Sequence, residues 1–487
     1  MIGKYTLEIG WKEFLDGMTS SPETEDGGFS PETNAVNITS TQNSLGILYP
    51  SGFKSDKASS DGQFIASCPD PDSGFGIYRY ILTTTGKFYS INSSSVATLR
   101  QTGVKTYIQD YSDMVVYKNG LYATSSSDIT LATGANLTSI DETWWTTTKS
   151  KTALTASIPH PLLVFEDALW IGDGNLLHKW DGTTATGASG SPPVSFLTLN
   201  TGLVITALGI DPSTGKMLIS ATDGIATPGN FPRQAKVYVW DGFSAKPSRA
   251  VVVDDIITAF YPMGGIMYVC YGVNFGYWNG SGISFIRQFK NNTYGGSDTL
   301  VYKHRITNVG KKILIADGVD ILTMEETLPG QKKFYVSYKI ISTLNSRYDI
   351  IFNLGSDNLG LCFTSSGPIY NFSVLNLKSV ASGGSLDFYS KKYKFQRPIY
   401  VREINIEYAN SIASSATSGS IVLLDQNATN IATPSLTNDS SAATYQIVRT
   451  ITSNKKIKTL QLNYTNSGYT NTVAGIRRFL INYDVVE

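Results

Sequence analysis

LLVFEDALWIGDGNLLHKWDG, residues Leu162 to Gly182, is the stretch whose reading decides the fold. The apolar run Leu162–Phe165 meets a polar break at Glu166-Asp167. Ala168–Ile171 then leads into Gly172-Asp173-Gly174, and Leu176–Trp180 ends on Asp181-Gly182. Asp-Gly between apolar runs signals a hairpin, because a type I′ turn needs positive φ at both central positions. The stretch therefore reads as a three-strand meander heading for a fourth strand. One such sheet cannot cover both of its faces, so it needs copies of itself.

The chain supplies them. Apolar strand starts recur at Phe64, Met114, Leu162, Ile205, Ile256, Ile306 and Ile350, a blade-sized period. Second strands follow short turns, as at Tyr117–Tyr122, Ile210–Ile219 and Val309–Ile315. Third strands end alike: Trp180-Asp181-Gly182, Trp240-Asp241-Gly242 and Trp278-Asn279-Gly280. Seven four-stranded units over residues 64–383 predict a β-propeller of about seven blades, with six or eight also compatible because the terminal units are degenerate.

Residues 1–63 differ, with a few spaced aromatics around an exposed loop, Ser20–Gly28. They read as an extended arm that docks on something else. Beyond Gly384 the period gives way to strict alternation: Ile404, Ile406, Tyr408; Leu460, Leu462, Tyr464; Phe479, Ile481, Tyr483, Val485. Residues 384–487 are therefore expected to form an antiparallel sandwich, with polar loops at 411–419 and 435–444. The fold class is all-β throughout.

Composition narrows function. Only 16% of the 487 residues are charged, and 39 basic residues balance 39 acidic ones. No Lys/Arg cluster of the kind that marks nucleic-acid or anionic-membrane binding stands out. No apolar run reaches membrane-spanning length, and the start MIGKYTLEIGWKEF lacks the apolar core of a secretion signal. Cys68, Cys270 and Cys362 lie far apart in apolar runs, as buried thiols do.

Chemistry is sparse. Gly209–Lys216 superficially resembles a phosphate loop, but its spacing is wrong and its flanks are strands, so it reads as a hairpin turn. His160, His178 and His304 have no nearby ligand partners, and His178, two residues before Trp180, reads as a structural strand residue. The paired acids Asp141-Glu142, Asp254-Asp255 and Glu325-Glu326 read as turn residues, and Asp70–Gly74 holds only part of a calcium loop. No catalytic residue, metal or cofactor is expected. The one surface candidate for a glycan or protein partner is Asp141-Glu142-Thr143-Trp144-Trp145: adjacent tryptophans on a strand face opposite ways, which exposes one unless both pack between blades.

The arm with its EDGGFSPETNAVN run (Glu25–Asn37), the degenerate Trp-Asp-Gly blades and the trailing sandwich together resemble the propeller-bearing virion proteins of tailed bacteriophages. That resemblance implies a non-enzymatic nozzle, hub or minor tail component, assembled in the host cytoplasm as a homo-oligomeric ring around the DNA path. Its partners would be other tail proteins, without sequence-specific nucleic-acid recognition. A host-surface glycan-binding or receptor-binding protein, and a propeller glycosidase, are the alternatives from other classes.

Overall fold

The computed structural model describes residues 4–9, 38–41, 44–47, 53–57, 62–70, 77–92, 97–103, 105–108, 110–134, 137–148, 152–182, 195–224, 234–289, 300–318, 320–328, 331–339, 347–355, 358–365, 369–376, 386–390, 392–412, 417–466 and 476–486. Seven four-stranded antiparallel sheets follow one another in order. Their first strands are Phe64–Pro69, Met114–Tyr117, Leu162–Phe165, Leu203–Ile210, Ile257–Met263, Ile306–Val309 and Arg347–Gly355, within three residues of the expected starts. These first strands touch their neighbours round a ring, with Lys303–Arg305 joining those of blades 5 and 6, and so line the axis.

In blade 3 the hairpin chemistry is visible residue by residue. Glu166 and Asp167 take φ of 49° and 51°, the left-handed pair that a type I′ turn demands. The third strands end at Trp180, Trp240 and Trp278, and Gly182, Gly242 and Gly280 follow at φ of 79°, 88° and 88°. Asp241 accepts the N–H groups of Phe243 and Ser244 at 2.9 and 2.8 Å, and Asn279 does the same for Ser281 and Gly282 at 3.0 and 2.9 Å. The Trp-Asp/Asn-Gly repeat is thus a self-capping turn.

Each seam between consecutive blades holds its own apolar cluster, and the seventh cluster joins blade 7 to blade 1. Between blades 3 and 4, for example, Trp170 and Trp240 meet edge to face at 5.2 Å, and both are fully buried. The hairpin Ile210–Met217 is closed by Asp211, which accepts from Ser213 and Thr214. All three cysteines are buried free thiols, and burial pushes Cys68 up to about 12.

Described parts of the N-terminal arm dock on the chain itself. Phe53–Lys57 pairs with Tyr370–Ser373 as the outermost strand of blade 7, so the ring is closed by hydrogen bonds between the two ends of the propeller segment. Lys4–Ile9 pairs along Phe479–Asp484 at the edge of the C-terminal sheet, and the hairpin Ile38–Ile47 meets the same strand through Leu45 and Ile476.

That C-terminal sheet folds over into two layers. One runs Lys4–Ile9, Ile476–Val485, Tyr393–Ile412, Thr444–Thr450; the other is built on Leu386–Tyr389, Ile457–Asn466 and Thr417–Leu424. Ile404, Ile406, Phe479 and Ile481 of the first layer share one core with Ile421, Leu423, Leu462 and Tyr464 of the second, which is the expected sandwich. The polar stretch expected as loop at 435–444 includes a short strand, Ser435–Thr437, because Leu436 is drawn into that core.

Candidate functional site: the propeller axis

A short helical turn, Lys303–Arg305, precedes the first strand of blade 6 and stands among the innermost strands of blades 1, 5 and 7. Lys303 Nζ lies 3.0 and 2.8 Å from the two carboxylate oxygens of Asp113, at the head of blade 2, and donates to Leu162 O of blade 3 at 3.2 Å. His304 Nε2 is 2.8 Å from Asp113 Oδ1, while its Nδ1 faces the backbone N–H of Ser67 in blade 1 at 3.4 Å. Only the neutral ring with its proton on Nε2 serves both contacts, donating to the carboxylate and accepting from the amide. Burial draws the His304 pKa down, in agreement with a neutral ring.

Asp113 is the hub. It also accepts the N–H groups of Met114 and Leu162, at 2.8 and 2.9 Å. Burial by itself would raise its pKa; the Lys303 ammonium and the His304 bond together outweigh burial and hold the carboxyl well below the usual range. Arg305 is buried: Nη1 donates to Leu300 O at 2.6 Å, Nε to Asp349 O at 3.2 Å, and Nη2 lies 3.1 Å from Asp110 Oδ1. Asp349, in the first strand of blade 7, accepts from Gln63 Nε2 at 2.5 Å and from Thr364 Oγ1 at 2.8 Å. Burial pushes its carboxyl up to about 6, against the nearby Arg347.

These groups plug one end of the axis. The cavity left beside them measures about 50 Å³ and is lined by Asp110, Asp113, Arg305 and Asp349 among others. Sites for sugars or cofactors run to roughly 300–1,000 Å³, so this one has room for a few waters. Three carboxylates converge here as a glycosidase would require, but each is already engaged with cations or donors of the same chain.

The surface candidate from the sequence is corrected. Trp144–Thr148 forms a single π-helical turn and not a strand, so the two indoles do not face opposite ways. Both are buried in the seam between blades 2 and 3, where Trp144 meets Trp180 edge to face at 4.7 Å and Trp145 lies against His178. Asp141 caps the turn by accepting from Thr143 N and Thr148 Oγ1, and Glu142 accepts from Lys105 N at 3.2 Å. Burial closes both tryptophans to a partner, while Asp141 and Glu142 stay half-exposed with these local bonds made. His178, as expected, is a packed strand residue, 3.7 Å from Asp173. Asp255 accepts its own Ile256 N–H, a local cap; the side chains of Glu325 and Glu326 and most of the Asp70–Gly74 run lie outside the described residues.

The axial plug was missed in the sequence, where it leaves one trace, the run Lys303-His304-Arg305 directly ahead of an inner strand, with the acid Asp113 at the equivalent place ahead of another. The lysine-bearing runs KKYKFQR (391–397) and KKIK (455–458) run into paired strands of the sandwich, with Lys394 opposite Thr459 and Ile399 opposite Ile457.

No family model matches the chain, and no curated protein does. Among solved structures, Raptor of Chaetomium thermophilum is similar over 68% of this chain and 30% of its own, at 8% identity and a TM-score of 0.45. The chain spans less than a third of that protein's length, and likeness of this degree carries no argument about function.

Proposed function

We propose that the chain is a structural component of a tailed-phage virion, a non-enzymatic nozzle, hub or minor tail protein whose copies form a ring around the DNA path. One observation carries the assembly part of this reading. The exposed large apolar side chains of the propeller include Phe196 on the outer strand of blade 3, Phe243 and Val252 on blade 4 and Phe285 on the outer strand of blade 5. Apolar side chains left open on neighbouring blades suit a protein–protein contact at the rim. The plugged axis supports the same reading from the other side, since the place where a propeller would take a small ligand is filled by Lys303–Arg305.

Neither alternative gains an observation of its own. The glycan-binding reading loses its aromatic candidates to the blade 2–3 seam. The glycosidase reading would need the axial acids free and a pocket the size of a sugar. Size-exclusion with light scattering tests the assembly claim: the chain with its tail partners is expected to form a defined ring, and Phe285→Ser with Val252→Ser to weaken it without lowering Tm. A chain that stays monomeric with every tail protein present, or hydrolyses glycosides, would contradict the proposal.

A further inference from the structure

Arg79 is a partly buried cation without an acid. It sits in the second strand of blade 1 (Ile77–Thr83), opposite Pro69, and is half-buried. Its Nη1 donates to Asn353 O of blade 7 at 3.3 Å, and the guanidinium stands 5.4 Å from the centre of the Phe352 ring. Nε is buried with no hydrogen-bond partner, and among the described residues no carboxylate lies within ion-pair distance of the group. Other cations set into the ring have one: Arg305 has Asp110, Arg347 has Asp349 and Lys303 has Asp113. Burial draws the Arg79 pKa down. The neighbours that oppose it, the Cys68 thiol and the Tyr261 hydroxyl, are both pushed up to about 12 and carry no charge at neutral pH. A chain of hydrogen bonds across the inner strands holds the guanidinium in place. Tyr261 Oη of blade 5 donates to Asn308 Oδ1 of blade 6 at 2.6 Å, Asn353 Nδ2 donates to Asn308 O at 2.8 Å, and Asn353 Oδ1 accepts from Gly355 N at 2.6 Å. Asn353 stands four residues beyond Asp349, roughly 13 Å further along its strand from the plug.

A cation held in place with no counter-charge, and with an N–H left without an acceptor, is the arrangement of a group whose partner comes from outside the chain. We infer that Arg79 binds a carboxylate. The guanidinium offers paired N–H groups at the spacing of two carboxylate oxygens, and one negative charge neutralises its one positive charge. A phosphate dianion would leave excess negative charge in a half-buried place, near the chain's own Asp70, one residue past Pro69. The assignment does not depend on the virion reading, since it rests on groups of blades 1, 5, 6 and 7 alone.

The test is NMR of the Arg79 Nε–H resonance in the full chain, assigned through its own backbone, while sodium acetate replaces sodium chloride at constant sodium and neutral pH. A saturable shift is expected with acetate and none with added chloride, and inorganic phosphate should be the weaker ligand. Thermal unfolding gives a second readout. Acetate should raise Tm further for the unsubstituted chain than for Arg79→Lys, which keeps the charge but gives up the paired donors and with them about tenfold in affinity. No shift with acetate, a shift that chloride reproduces, tighter binding of phosphate, or an equal Tm response in Arg79→Lys would overturn the assignment.

Discussion

At the scale of single residues, the axis is governed by Asp113 and Asp349, two buried acids with opposite behaviour. Asp113 satisfies two backbone amides, Lys303 and His304 at once. Removing it leaves two buried amides and the His304 N–H without their acceptor, while the Lys303 ammonium, 41% exposed, can turn to water; Asp113→Ala is therefore expected to cost about 2–4 kcal/mol in denaturant unfolding, and a loss below about 1 kcal/mol would contradict the plug's importance. Asp349 has its folded pKa raised to about 6. The folded state therefore keeps a proton that the unfolded chain has released above about pH 4, and stability contributed here falls as pH rises through that window. At neutral pH the burden is at most about 3 kcal/mol. Asp349→Asn keeps one acceptor, for Gln63, and donates to the Thr364 hydroxyl in place of accepting from it, so Tm at pH 7.5 should rise while Tm near pH 4 stays put; a fall at pH 7.5 would refute this. His304, with its pKa lowered, works in the opposite sense: its stability share is lost as pH drops below about 6.5.

At the scale of elements, the repeated blade turn explains how much of the fold was legible. Period, turn chemistry and Trp-Asp/Asn-Gly ends are local properties, so Leu162–Gly182 could be read directly and multiplied. Gly242 and Gly280 share φ of 88°, but a Cβ on Gly242 would come within 2.7 Å of Phe165 Cε1, whereas Gly280 faces open space. Gly242→Ala should thus be the more destabilising of the two, by chemical denaturation, with Gly280→Ala near the roughly 1 kcal/mol of backbone strain alone. Equal losses would mean that the turn does not pack on blade 3. What stayed hidden is non-local. Asp113 and Lys303 are 190 residues apart, and Phe53–Lys57 finds Tyr370–Ser373 across the whole propeller. The tryptophan pair misled for a related reason: alternation applies to strands, and Asp141 and Asp128 cap Trp144–Thr148 into a helical turn instead.

At the scale of the whole molecule, the N-terminal segment ties sandwich and propeller together. Lys4–Ile9 completes one layer of the sandwich, and Phe53–Lys57 completes blade 7. Deleting residues 1–57 should therefore expose two sheet edges at once, with amide exchange rising at Ile369–Asn376 and Ile476–Val485 while blades 3–5 stay protected. Uniform protection would show that the closing strand is dispensable. A closed propeller with a filled axis and exposed apolar side chains on blades 3–5 suits contact with neighbours, and its place in a particle follows from which face meets which neighbour. Cryo-electron microscopy of the assembled particle tests that most directly. The proposed function predicts several copies arranged in a ring, with the exposed apolar side chains of blades 3–5 against neighbours. Copies placed singly on the outside of the particle, with those side chains open to solvent, would contradict it.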